Sequence, residues 1–130
     1  MDPVVHFEMP YEDKQRMADF YTKAFGWKAQ MLGPEMGDYV TVKTSETDEK
    51  GFPKMPGMIN GGFYKKPEDK AGHAPSIVIA VKDLKASLKM VADAGGKVTG
   101  EPMDIPGVGQ YGVILDSEGN RVGLMQPNPM

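Results

Sequence analysis

The chain contains no cysteine. That excludes a disulfide framework, a thiolate metal site and a cysteine nucleophile together. No apolar run approaches the roughly 20 residues a helix needs to cross a bilayer. Met1-Asp2-Pro3 lacks the basic region and long apolar core of a secretory signal. Basic residues are the minority, 15 against 18 acidic ones, for a formal net charge of −3. Lys14, Arg16, Lys23, Lys28, Lys65 and Lys66 are scattered, so no stripe matches a row of phosphates and nucleic acid is not an expected partner. Nor is a membrane. Histidine is scarce, with only His6 and His73. No serine sits in a nucleophile elbow, and Gly107-x-Gly109 follows no strand-to-helix pattern, so it reads as a tight turn rather than a dinucleotide fingerprint.

What remains is a chain of 130 residues, 40% hydrophobic and 25% charged. That suits one cytoplasmic globular unit, or two small halves sharing a core. Eleven methionines serve as core gap-fillers or as an adaptable binding surface.

The positive signal is a repeat. Adding 70 moves His6 to Ser76, Asp13 to Asp83, Ala24 to Ala94 and Gly26 to Gly96. Each copy reads as an apolar strand, an acidic helix start, a one-sided helix, a glycine stop and further strands. In the first copy, Val5, Phe7 and Met9 share the face that wants a helix. Val4, His6 and Glu8 share the other, which should meet water, a ligand or a pocket. Pro10 is expected to end this strand. Asp13 caps a helix with a stripe of Met17, Phe20, Tyr21, Ala24 and Phe25, and Gly26 stops it. Strands follow at Trp27 to Met31 and Tyr39 to Lys43. Thr44 to Met58 reads as an exposed loop, and Ile59 to Tyr64 as a strand whose glycine pair marks a bulge or a close backbone approach.

Lys65 to Pro75 is the natural linker. Beyond it, Ile77, Ile79 and Val81 repeat the helix-facing side, with Ser76, Val78 and Ala80 opposite. Asp83 caps a helix with Leu84, Leu88, Val91 and Ala92 in line, and Gly95-Gly96 ends it. Lys97 to Thr99 opens the next strand; after Pro102 and a turn at Pro106-Gly107, strands are expected at Gln110 to Leu115 and Val122 to Gln126, with a turn over Asp116 to Asn120. The expected fold is therefore α+β: two tandem βαβββ modules, residues 3–64 and 76–127 of a single domain, forming a curved mixed sheet around a cleft with helices outside.

This duplicated unit resembles the vicinal oxygen chelate superfamily: glyoxalase I, bleomycin-resistance proteins, fosfomycin-resistance enzymes and extradiol dioxygenases. It is most like the small glyoxalase-related proteins of unassigned function. The phrases that carry the likeness are His6-Phe7-Glu8-Met9-Pro10, Asp19-Phe20-Tyr21, Phe25-Gly26-Trp27, Asn60-Gly61-Gly62, Ala94-Gly95-Gly96, Ile105-Pro106-Gly107-Val108-Gly109 and Asp116-Ser117-Glu118-Gly119-Asn120. Metal-dependent members of that superfamily hold a divalent ion on four strands. The resemblance places those ligand positions on His6, near Asn60 or Gly61, on Ser76 and on Gly123. Only His6 is a competent ligand, so no metal and no cofactor is expected, with His6 the one metal contact should a site exist.

The resemblance implies a protein that binds a small organic molecule in the inter-module cleft, lined by His6, Glu8, Tyr39, Asn60 and Tyr111. His6 and Glu8 read equally as a mutual hydrogen bond lining a polar pocket and as a ligand-binding or acid–base pair. The alternatives are a metal-dependent lyase or dioxygenase with substitute ligands, and a drug-sequestering resistance protein. A homodimer is expected on the same likeness.

Overall fold

Asp13 starts the first helix as the sequence requires: its extended backbone lets the carboxylate accept from Arg16 N at 3.0 Å. Gly26, in the left-handed region at φ 76°, ends it. In the computed structural model, which describes residues 1–129, the elements run β1 (Val4–Tyr11), α1 (Lys14–Phe25), β2 (Lys28–Met31), β3 (Val40–Lys43), β4 (Asn60–Lys65), β5 (Ser76–Ala80), α2 (Leu84–Asp93), β6 (Lys97–Ile105), β7 (Gly109–Leu115) and β8 (Arg121–Pro127). That is βαβββ twice. Among the described residues no helix is long and apolar enough to cross a membrane.

The chain divides into two compact units, His6–Pro75, and Ser76 onward together with Met1–Val5. In the first, β2 pairs antiparallel with β3, β3 antiparallel with β4, and β4 parallel with β1, giving a mixed sheet. One face is the core. Tyr11, Val40, Val42 and Phe63 are buried there, with Phe7, Met9, Met17, Tyr21 and Trp27 packed on them. Phe20 and Phe25 do not join the core; both are exposed, and the buried helical residue is Ala18. A 12-residue helix on a four-stranded sheet shows it a narrower stripe than the apolar residues of α1 would fill.

Pro10 does not end β1. It pairs with Tyr64, and the ladder continues to Tyr11, whose carbonyl accepts from Lys66 N at 2.9 Å. In a parallel pair only alternate residues donate to a given neighbour, so a proline at a non-donating position leaves the ladder intact.

In the second unit, β5 pairs parallel with β8, β8 antiparallel with β7, and β7 antiparallel with β6. Val81, Leu84, Leu88, Ile114, Val122 and Leu124 form its core, and Val91 packs against them. Ala92 is exposed, one position off the inward stripe of a 10-residue helix. The N-terminal residues belong here: Ala80 N donates to Pro3 O at 2.9 Å. β6 runs on through Pro102. Its register with β7 shifts between Thr99 and Met103, and Gly100 takes φ 74°, so the proline sits in an irregularity on a strand with β7 as its one partner.

Candidate functional site

The face of the first sheet opposite α1 carries His6 and Glu8, as strand alternation requires. Parallel pairing with β4 sets Asn60 beside His6 and Gly62 beside Glu8 on that same face. Tyr39, just before β3, closes the group. Its hydroxyl donates to Glu8 Oε2 at 2.8 Å and lies 3.1 Å from His6 Nε2. The Tyr39 proton is committed to the carboxylate, so the phenol oxygen is left to accept and His6 Nε2 carries the proton that it takes. The protons thus run in one direction, His6 to Tyr39 to Glu8, and His6 Nδ1 is the lone-pair end of the neutral ring. Glu8 is buried. Burial also holds the His6 imidazole below its ordinary value, with the Glu8 charge offsetting part of the effect, which favours that neutral ring.

The glycine pair makes this packing possible. A Cβ on Gly61 would sit 2.4 Å from the Phe7 ring on the core face, and a Cβ on Gly62 would sit 1.9 Å from Tyr39 Oη on the opposite face. Each glycine is therefore a seat for one aromatic ring, on either side of one strand. The close backbone approach expected of Asn60-Gly61-Gly62 is present, and it is an aromatic ring that approaches.

The second unit repeats the device. Val78 pairs with Gly123, and a Cβ there would meet Tyr111 Oη at 2.5 Å. Tyr111 corresponds to Tyr39, Gly123 to Gly62 and Val78 to Glu8. Arg121, the counterpart of Asn60, donates from Nη1 to Ser76 Oγ at 3.3 Å. So His6, Glu8 and Tyr39 are joined in one unit with Asn60 next to them, while Tyr111 serves the matching place in the other. The amide of Asn60 is engaged by its own loop: Oδ1 accepts from Thr44 N at 3.0 Å, and Nδ2 donates to Gly51 O at 3.4 Å.

By this internal correspondence the first module's last metal position is Gly62, one or two residues beyond where the resemblance placed it. The four positions are then His6, Gly62, Ser76 and Gly123. They offer one imidazole, one hydroxyl and no carboxylate, and tyrosine rings occupy the space where side chains at both glycines would stand. These residues do not fit a divalent-ion site of the His and Glu type. Among the described residues no three His, Asp or Glu side chains gather closely enough to hold a metal ion. Gly62 was not singled out as a functional position by sequence reasoning; two glycines in a strand were its signal. Arg121 had none.

The family model described as Glyoxalase/Bleomycin resistance protein/Dioxygenase superfamily matches residues 4–124. The anthracycline biosynthesis protein DnrV of Streptomyces peucetius is 28% identical over 87% of this chain and 42% of its own length, so this chain spans less than half of that relative. A glyoxylase-like domain-containing protein of Didymella fabae is 32% identical over 87% of this chain and 84% of its own. Among solved structures, methylmalonyl-CoA epimerase from Mycobacterium tuberculosis superposes with a TM-score of 0.66 at 15% identity, over 97% of this chain and 88% of that one, which shows a shared fold.

Proposed function

This chain belongs to the Glyoxalase/Bleomycin resistance protein/Dioxygenase superfamily, and from that premise we propose that it binds a small organic molecule on the His6–Tyr39–Glu8 face without the divalent metal centre of metal-dependent relatives. One observation carries the reading. The Tyr39 ring lies on Gly62 and bonds Glu8 at 2.8 Å, so a phenol stands where a metal-dependent relative would need a ligand side chain. The relatives named for anthracycline biosynthesis support a small organic molecule as the ligand. His6 and Tyr39 offer hydrogen bonds and a proton path, so acid–base chemistry on a bound molecule is within reach of the same groups.

The test is direct. Calorimetry of the chelator-stripped protein with zinc, nickel, manganese and iron(II) should show no stoichiometric binding. A 1:1 isotherm that disappears in His6→Ala would replace this reading with the metal-dependent one. We also propose that two copies associate, as light scattering on the eluted protein would reveal.

A further inference from the structure

Resting on that reading of the His6–Tyr39–Glu8 face, we propose that the segment between β3 and β4 forms the apolar wall of the site, and that the ligand is an uncharged ring-bearing molecule presenting a hydroxyl to His6 Nδ1. Three observations converge. Asn60 lies next to His6 on this face, and its amide holds the segment at both ends: Thr44 N at the root and Gly51 O at the tip. Thr44 Oγ1 donates to Ile59 O, closing the root a second time.

The segment is a small hairpin. Asp48 N donates to Phe52 O at 2.8 Å, Lys54 N donates to Glu46 O at 2.9 Å, and Thr47 bridges Pro53. The tip is therefore tied back toward the face that carries His6.

The hairpin and its exit present Phe52, Met55 and Met58, which are 53%, 62% and 46% exposed. Large apolar side chains standing in water within one short segment cost free energy unless a guest covers them. Two methionines and a phenylalanine suit a guest of variable shape with flat faces. Solvated loops of this kind are usually polar, and this one spends three positions otherwise.

Polarity gives the rest of the ligand class. Every proton in the His6–Tyr39–Glu8 chain already points toward Glu8, so the group offers acceptors. A guest must donate. It must also avoid negative charge, because the buried carboxylate beside Tyr39 would repel an anion in a poorly solvated place. A phenol, enol or similar hydroxyl on an aromatic body satisfies both conditions. Asn60 is then a positioning residue, acting through the hairpin it holds.

The experiment is an NMR titration of the intact protein with three probes, 2-naphthol, 2-methoxynaphthalene and 2-naphthoate. 2-Naphthol should shift amides 6–8 and 39–41 together with amides 50–58, and should bind at least tenfold more tightly than the ether, which cannot donate, or the anion. Phe52→Ser, at an exposed position, should weaken 2-naphthol about fivefold without changing the melting temperature. Asn60→Ala should weaken it similarly and speed hydrogen exchange at amides 50–54. Shifts confined to 6–8 and 39–41, or an unchanged Kd in both variants, would overturn the wall and leave the site reading standing. Shifts confined to 50–58 would overturn the site reading, and no shift in either region would overturn both. Equal binding of the three probes would overturn the assigned ligand class.

Discussion

Gly62→Ala puts the central packing claim at risk with one methyl group. The added Cβ would lie 1.9 Å from Tyr39 Oη and 2.1 Å from Cζ, where ordinary contact needs about 3.5 Å. The backbone of β4 is fixed on both sides by β1 and β3, so the tyrosine must yield. Moving the ring by about 1.5 Å breaks its 2.8 Å bond to Glu8 and its 3.1 Å bond to His6. The first is charge-assisted and leaves a buried carboxylate short of a donor, a loss of about 1.5–3 kcal/mol; the second adds about 1 kcal/mol. Alanine returns roughly 0.5–1 kcal/mol by restricting the unfolded chain. The net expectation is a loss of about 2–3 kcal/mol, read as a lower urea midpoint at unchanged slope. In a Tyr39→Ala background the methyl has room, so Gly62→Ala should then cost less than about 0.5 kcal/mol. A cost that small in the native background, or the same cost in both, would refute the seat described for Tyr39.

Three further outcomes follow from named interactions. Tyr39→Phe keeps the ring on Gly62 but removes both the 2.8 Å bond to Glu8 and the 3.1 Å bond to His6, and urea unfolding should register a loss of about 2.5–4 kcal/mol. The folded state holds the His6 imidazole below its ordinary 6.5, so as pH falls through 6.5 toward that lowered value the unfolded chain takes up a proton that the folded one refuses. Stability should therefore drop between pH 7 and 5 more steeply in the native protein than in His6→Asn; parallel melting curves against pH would count against it. Leu84, 1% exposed in the second core, should cost about 2–5 kcal/mol when cut to alanine, measured by the same denaturation.

The fold was legible because it rests on short-range rules. Asp13 and Asp83 each take up the cap their position demands, and Gly26 turns left-handed at the end of α1. The faces of β1 separate by alternation alone, with Phe7 and Met9 inward and His6 and Glu8 opposite. Where expectation missed, a competing tertiary influence is identifiable. Phe20 and Phe25 stay in water because the sheet has no room for the whole stripe, and Pro10 lies within β1 because its missing donor falls where pairing does not need it.

The site was legible only in part. His6 and Glu8 could be placed on one face from their spacing, but their joining through Tyr39, 31 residues beyond Glu8, depends on the register of β3, β4 and β1. The same register makes Gly62 a seat for a ring, and makes Asn60 a tether for its loop instead of a bare pocket wall.

Composition and periodicity thus determined the two βαβββ units, since these follow from residue type and local spacing. The family likeness was carried by particular sequence phrases, and the poverty of metal ligands is what that likeness implies. Tertiary pairing decided what occupies the vacated places. Only when β4 lies between β1 and β3 does a glycine's missing side chain become space that a distant phenol can fill, and that phenol aligns the buried carboxylate and the imidazole.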